Sequence, residues 1–151
     1  MLTIREATIS DLVPITALLK ADGLRTEGVC EAGARYWVAE HGSRLIGAIG
    51  LECGETAVLL RSAVVLSNER RKGVGRKLTE RALEWAWSRG YQAASCFSTD
   101  AGDYWITRGF RPCSVDEVVR AVPDAPQVRL FDQLGWLPTE AAYRITPGPS
   151  V

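Results

Sequence analysis

The chain has 151 residues, 46% of them hydrophobic, and its 18 basic residues balance 18 acidic ones. A chain of this size suits one domain around one core, and balanced charge gives no general reason to bind nucleic acid or an anionic membrane. No apolar run reaches membrane-spanning length, and no basic segment followed by an apolar core opens the chain, so no signal peptide is expected and the cytoplasm is the expected compartment.

Leu2-Thr3-Ile4-Arg5 alternates and reads as a first strand. Ser10 or Asp11 can cap a helix through Lys20 that buries Leu12, Ile15, Leu18 and Leu19. Residues 21–29 are glycine-rich and polar. Tyr36 to Glu40 and Leu45 to Leu51 are strand-like runs joined by His41-Gly42-Ser43-Arg44, a hairpin signal. His41, the only histidine, reads as exposed in that turn.

The stretch Leu59 to Trp87 organises the rest. An apolar run from Ala57 to Leu66, broken only by Arg61 and Ser62, fits a buried strand. A basic turn follows, from Arg70 through Lys77. Val74, Leu78, Ala82, Trp85 and Ala86 then recur at helical spacing, and Gly90 marks the helix end. Ala93 to Phe97 reads as a fifth strand, and Ala101 to Arg108 as a short helix. Ser114 and Glu117 form a possible capping box for a helix through Ala121. Gln127 to Leu134 reads as another helix, and Ala141 to Ile145 as the last strand. One domain, 1–146, with a tail, 147–151, accounts for the chain. Cys30, Cys53, Cys96 and Cys113 show no paired spacing, so no metal site is expected; Cys53 and Cys96 read as core residues.

The turn favours an anion. Gly73 and Gly75 remove side chains where a helix begins, and its first N–H groups lack intrahelical partners and carry the positive end of the dipole. Neither a nucleotide-hydrolase phosphate loop nor a dinucleotide fingerprint matches. R-x-x-G-x-G does match, as Arg70-Arg71-Lys72-Gly73-Val74-Gly75. This resembles the coenzyme A loop of the GCN5-related N-acetyltransferases (GNAT). Arg61 to Val65 is similar to the end of that family's fourth strand, and Trp105-Ile106-Thr107-Arg108-Gly109-Phe110 to its tyrosine-x-x-x-glycine-phenylalanine segment. The arsenic-resistance branch is most similar, and the N-acetylglutamate synthases resemble the chain more distantly.

The resemblance implies an α/β fold: a mixed, mostly antiparallel sheet with helices on both faces, and strands four and five splayed apart. It implies acetyl transfer from acetyl-CoA to a small amine without a metal, and a possible homodimer. Val64 and Val65 would pair with the pantetheine arm, and Arg70, Arg71, Lys72, Gly73, Val74, Gly75 and Arg76 would hold the diphosphate. Trp105 stands where the family has its proton-donating tyrosine. Its indole N–H does not titrate, so packing against pantetheine is its expected part. Tyr104, one residue away, is rotated by about 100 degrees and would face the core.

Arg61 needs an anionic partner, either a protein carboxylate or that of an amino-acid-like acceptor, with Ser62 and Thr26 adding hydroxyl contacts. Glu27, Glu52 and Glu55 are candidate bases for the acceptor ammonium, and Glu52 is favoured because it follows a buried-looking strand. The competing reading is an acyl-CoA-binding module with little catalysis.

Overall fold

A computed structural model of the protein describes residues 1–29 and 33–148. Cys30 and the last three residues of the expected tail lie outside the described residues. Seven strands, β1 (Leu2–Glu6), β2 (Ala34–His41), β3 (Arg44–Cys53), β4 (Ala57–Val65), β5 (Ala93–Phe97), β6 (Arg111–Cys113) and β7 (Ala142–Ile145), form one sheet in the order β1-β2-β3-β4-β5-β7-β6. Only β4 and β5 run parallel. The helices are α1 (Leu12–Ala21), α2 (Val74–Ser88), α3 (Gly102–Thr107), α4 (Val115–Ala121) and α5 (Pro126–Gln133).

Both faces of the sheet are covered. The α2 stripe Val74, Leu78, Ala82 and Ala86 packs against Trp37, Ile49 and Leu60 on one face. On the other, Ile15 and Leu19 of α1 meet Val38, Ala48 and Val64, while Val118, Val122 and Val128 cover Ala57 and Leu59. Each large apolar side chain so buried contributes about 1.5–3 kcal/mol.

One irregularity positions the site. Ala48 pairs with Val64, but Gly50, two residues on, pairs with Arg61, three residues back. One extra residue therefore lies in β4, and Ser62 takes the left-handed conformation there, with φ of 58°. A bulge of this kind inverts the alternation of side chains. Leu60 thus packs in the α2 layer, whereas Val64 packs in the α1 layer. Pairing of β4 with β5 ends at Leu59 and Ser95. Beyond that point the two strands are not paired, and a gap opens.

Two elements differ from expectation. The strand β6 has no periodic signal; it is three residues long and holds Pro112, which an edge strand tolerates because no ladder donor is needed there. Asp11 occupies the cap position of α1 without capping it. Its carboxylate accepts the Thr8 N–H at 2.7 Å and a forked pair from Arg5 at 2.7 and 3.0 Å, tying β1 to the helix.

The Arg5 hydrogen bonds hold the Asp11 carboxyl well below the ordinary carboxylate value. A depressed folded-state value stabilises the fold above the ordinary value, and that stability is lost as pH falls. Asp11→Asn is therefore expected to lower stability by about 2 kcal/mol at pH 7, the scale of hydrogen bonds to a charged group. In denaturant titrations the gap between variant and wild type should shrink below about pH 4, near the model-peptide value.

Candidate active site

The basic turn is built as its glycines suggest. Gly73, at φ of 82°, is the cap residue of α2, and Arg71 is also left-handed at φ of 67°. Left-handed residues in a turn curl successive N–H groups toward one concavity, a form suited to an anion. A Cβ built at Gly73 meets no atom within 4 Å, so this glycine is required by conformation, not by crowding. The turn opens on a groove of about 910 Å³ whose lining includes Val64, Val65, Arg70 to Arg76, Tyr104, Trp105 and Arg108.

The turn's cations are not equivalent. The Arg70 guanidinium donates to the Val65 carbonyl at 2.9 Å and to Asp22 at 2.7 Å, latching the loop to β4 and α1. Lys72 lies 3.5 Å from Glu69, and Arg76 3.8 Å from Glu80. Arg71 has no carboxylate partner among the described residues.

Tyr104 does not face the core as expected. Tyr104 is 38% exposed and stands in the groove wall, its hydroxyl 3.2 Å from where a Cβ on Gly75 would be. Trp105 is 6% exposed and packs edge-on against Phe110, with ring centroids 5.1 Å apart. Its far side still reaches the groove, where Ala101 and Ala63 join it.

A second cavity, of about 300 Å³, shares Ala63, Ala101 and Trp105 with the groove. The bulged residues Arg61 and Ser62 form one wall. Leu130 and Phe131 of α5 form another, and Leu24 and Arg25 close it. Thr26 is not among its lining residues; its carbonyl accepts the Val29 N–H instead. The polar loop therefore contributes Arg25 where Thr26 was expected.

Glu52 also departs from expectation. It is 1% exposed; its Oε2 accepts the Arg61 guanidinium at 2.7 Å and its Oε1 the Gln127 N–H at 2.9 Å. With both oxygens engaged and no surface toward the cavity, the carboxylate is a counter-ion and an anchor for the start of α5, not a base within reach of an acceptor. Gly28 covers the pair so closely that a Cβ there would sit 2.8 Å from the Arg61 guanidinium. Arg61 also donates from Nε to Ser62 Oγ at 2.9 Å. Of the two partners foreseen for Arg61, the protein carboxylate is present.

The other candidate bases lie elsewhere. Glu27 is exposed and ion-paired with Arg25; its own backbone N–H and that guanidinium hold its carboxyl below the ordinary value. Glu55 lines a separate cavity by the β3–β4 turn, and His41 is exposed in its hairpin. The carboxylates that do line the second cavity are Asp100 and Glu140. Burial, and secondarily the charge of Asp100, push the Glu140 carboxyl up. Glu140 lies between Thr139 and β7, in no recognisable motif, and no sequence signal marks it. Cys96 also lines this cavity, and burial keeps its thiol protonated far above neutrality. Among the described residues, no group of His, Cys, Asp and Glu is placed to hold a metal.

The result is a mixed sheet parted at a bulge, with a basic helix entrance on one side and a second, mostly apolar cavity on the other. Residues 32–112, more than half of the chain, match the acetyltransferase (GNAT) domain, and the protein belongs to that family of acyltransferases. No curated protein matches the chain.

Three solved structures are similar in fold. One is N-acetylglutamate synthase from Neisseria gonorrhoeae complexed with coenzyme A and N-acetyl-glutamate, at TM-score 0.76 and 20% identity over 99% of this chain. This chain spans 36% of that synthase, about a third of its length. Another is Rv2747 from Mycobacterium tuberculosis in complex with CoA, at TM-score 0.75 and 19% identity, covering 97% of this chain and 99% of that one. The third is the PaiA N-acetyltransferase from Thermoplasma acidophilum in complex with coenzyme A, at TM-score 0.71 and 13% identity, with coverage of 97% and 99%.

Proposed function

We propose that the protein transfers the acetyl group of acetyl-CoA to the amine of a small, amino-acid-like acceptor. The observation that carries this reading is the meeting of two cavities at Ala63, Ala101 and Trp105, beside the bulge in β4. The larger has the basic turn and an apolar lane along Val64 and Val65, which suit a phosphate-bearing carrier with a long thiol arm. The smaller has Arg61 and Arg25 as cations and Asp100 and Glu140 as anions, which suit a zwitterion. The three solved structures named above, each crystallised with coenzyme A, support the donor. The synthase, crystallised with N-acetyl-glutamate, supports an amino-acid acceptor. An arsenic- or phosphorus-containing amino-acid analogue has the same charges and belongs in the same class.

In this reading Glu140 takes the proton from the acceptor ammonium. Its raised value brings it nearer the operating pH, which favours a base. The free amine attacks the thioester carbonyl, an N–C bond forms and the C–S bond breaks. An N–H of β4 beyond the bulge stabilises the oxyanion. The nitrogen of the tetrahedral intermediate still carries one proton to lose, and that proton passes through water to the departing thiolate; a thiol of pKa about 8.5 leaves without a dedicated acid. Transfer is direct: the cavity's thiol, Cys96, is protonated and a poor nucleophile.

Arg25 holds the acceptor carboxylate, while Arg61, engaged by Glu52, Ser62 and the Arg25 carbonyl, shapes the wall behind it. Arg25→Ala removes one exposed cation without disturbing the buried pair. It is expected to raise the acceptor KM about tenfold, the scale of one charged hydrogen bond, and to leave the KM for acetyl-CoA unchanged. The reading itself is tested by free-thiol release from acetyl-CoA across a panel of amines, including amino acids and their arsenic- and phosphinic-acid analogues. Turnover confined to acceptors with a carboxylate or equivalent oxyanion is the expected result. Binding of acetyl-CoA with no turnover on any amine would favour a binding module instead.

A further inference from the structure

At the end of α3 the donor groove has a cation without a carboxylate partner among the described residues. Arg108 lines the groove, and its guanidinium lies over the Tyr104 ring, 5.7 Å from the centroid. Its Nε is buried and has no hydrogen-bond partner among the described residues. A buried donor left unpaired is unfavourable and uncommon, and in native proteins such a group calls for an explanation. The charges around it sharpen the point. The two carboxylates of the groove are both engaged, Asp22 by Arg70 and Glu69 by Lys72. Arg71 and Arg108 remain without carboxylate partners, so the groove carries surplus positive charge on both the loop and α3.

Position along α3 says which part of a ligand Arg108 meets. Ala101 and Trp105 border the acceptor cavity. Tyr104 stands against Gly75 at the entrance of α2. Arg108 lies one further turn away from the acceptor cavity, on the same side of the helix as Tyr104. We propose that Arg108, lying over the Tyr104 ring, is a second phosphate-binding element of the groove, gripping a phosphate of the coenzyme from the α3 side. This rests on the acetyl-CoA reading above. A guanidinium fixed on a ring presents paired N–H groups to phosphate oxygens, which a flexible ammonium does not reproduce.

The test is calorimetric titration of coenzyme A and dephospho-coenzyme A into wild type, Arg108→Gln and Arg108→Lys. It is joined by the KM for acetyl-pantetheine, a donor without phosphate. Arg108→Gln should weaken coenzyme A about tenfold, the scale of one charge-assisted contact, and Arg108→Lys less. The KM for acetyl-pantetheine should not change. Loss on coenzyme A alone assigns the 3′-phosphate; equal loss on both nucleotides assigns the diphosphate. Wild-type affinity in Arg108→Gln, or an equal loss on acetyl-pantetheine, overturns the proposal while leaving the acetyl-CoA reading intact. Failure of the wild type to bind coenzyme A would instead remove that reading, and this proposal with it.

Discussion

Glu52→Ala is expected to lower stability by about 3–5 kcal/mol, the scale for removing one partner of a buried ion pair. For a chain of this size that is a fall in melting temperature of about 10 °C. Two groups would be left without their partner at once: the Arg61 guanidinium and the Gln127 N–H at the start of α5. Arg61 has 4% side-chain exposure, so water cannot replace the carboxylate. Thermal or denaturant unfolding measures this directly. Glu52→Gln separates a counter-ion from a base. It keeps an acceptor for Gln127 but not the charge, so it should melt lower than wild type while retaining turnover and the wild-type pH dependence. A base would behave in the opposite way, losing turnover and keeping stability.

Glu140→Gln is expected to lower kcat by about 10²–10⁴-fold, the range for loss of a positioned general base. The pH profile carries the sign. A base works ionised, so activity rises as pH passes upward through its pKa. Burial and Asp100 push the Glu140 value up, so this acid limb should lie above the ordinary carboxylate range in wild type. Asp100→Asn removes the like charge and should move the limb down in pH with kcat largely kept. Glu140→Gln should abolish the limb. The profile of kcat/KM reads these groups in the free enzyme.

The order of strands and helices was legible because burial imposes periodicity. The β4 run, the α2 stripe and the β2–β3 hairpin all stand where their apolar patterns fall. The glycine spacing of the basic turn also carried its meaning, since left-handed backbone at Gly73 is what a side chain would oppose. What stayed hidden is what depends on register. The extra residue at Ser62 looks like any polar break in a strand, yet it decides which face Val64 serves. Glu52 and Arg61 are nine residues apart, and only the pairing of β3 with β4 brings them together. Seen alone, each looked available to a substrate. Glu140 reaches the cavity through the fold of 134–141, which no motif encodes. Tyr104 faces the groove while Trp105 packs on Phe110, a choice between neighbouring aromatic residues that sequence spacing could not rank.

In the proposed function the entrance of α2 grips the phosphates of an acetyl carrier. Calorimetric titration of acetyl-CoA into wild type and Gly73→Val tests it. The fold leaves space for the added side chain, but a left-handed β-branched residue costs about 1–2 kcal/mol and would pull the N–H groups out of line. Clear binding by wild type, with affinity lowered at least about tenfold in a variant that still melts cooperatively, is the predicted result. No heat from wild type, or equal affinities in the two proteins, would contradict it.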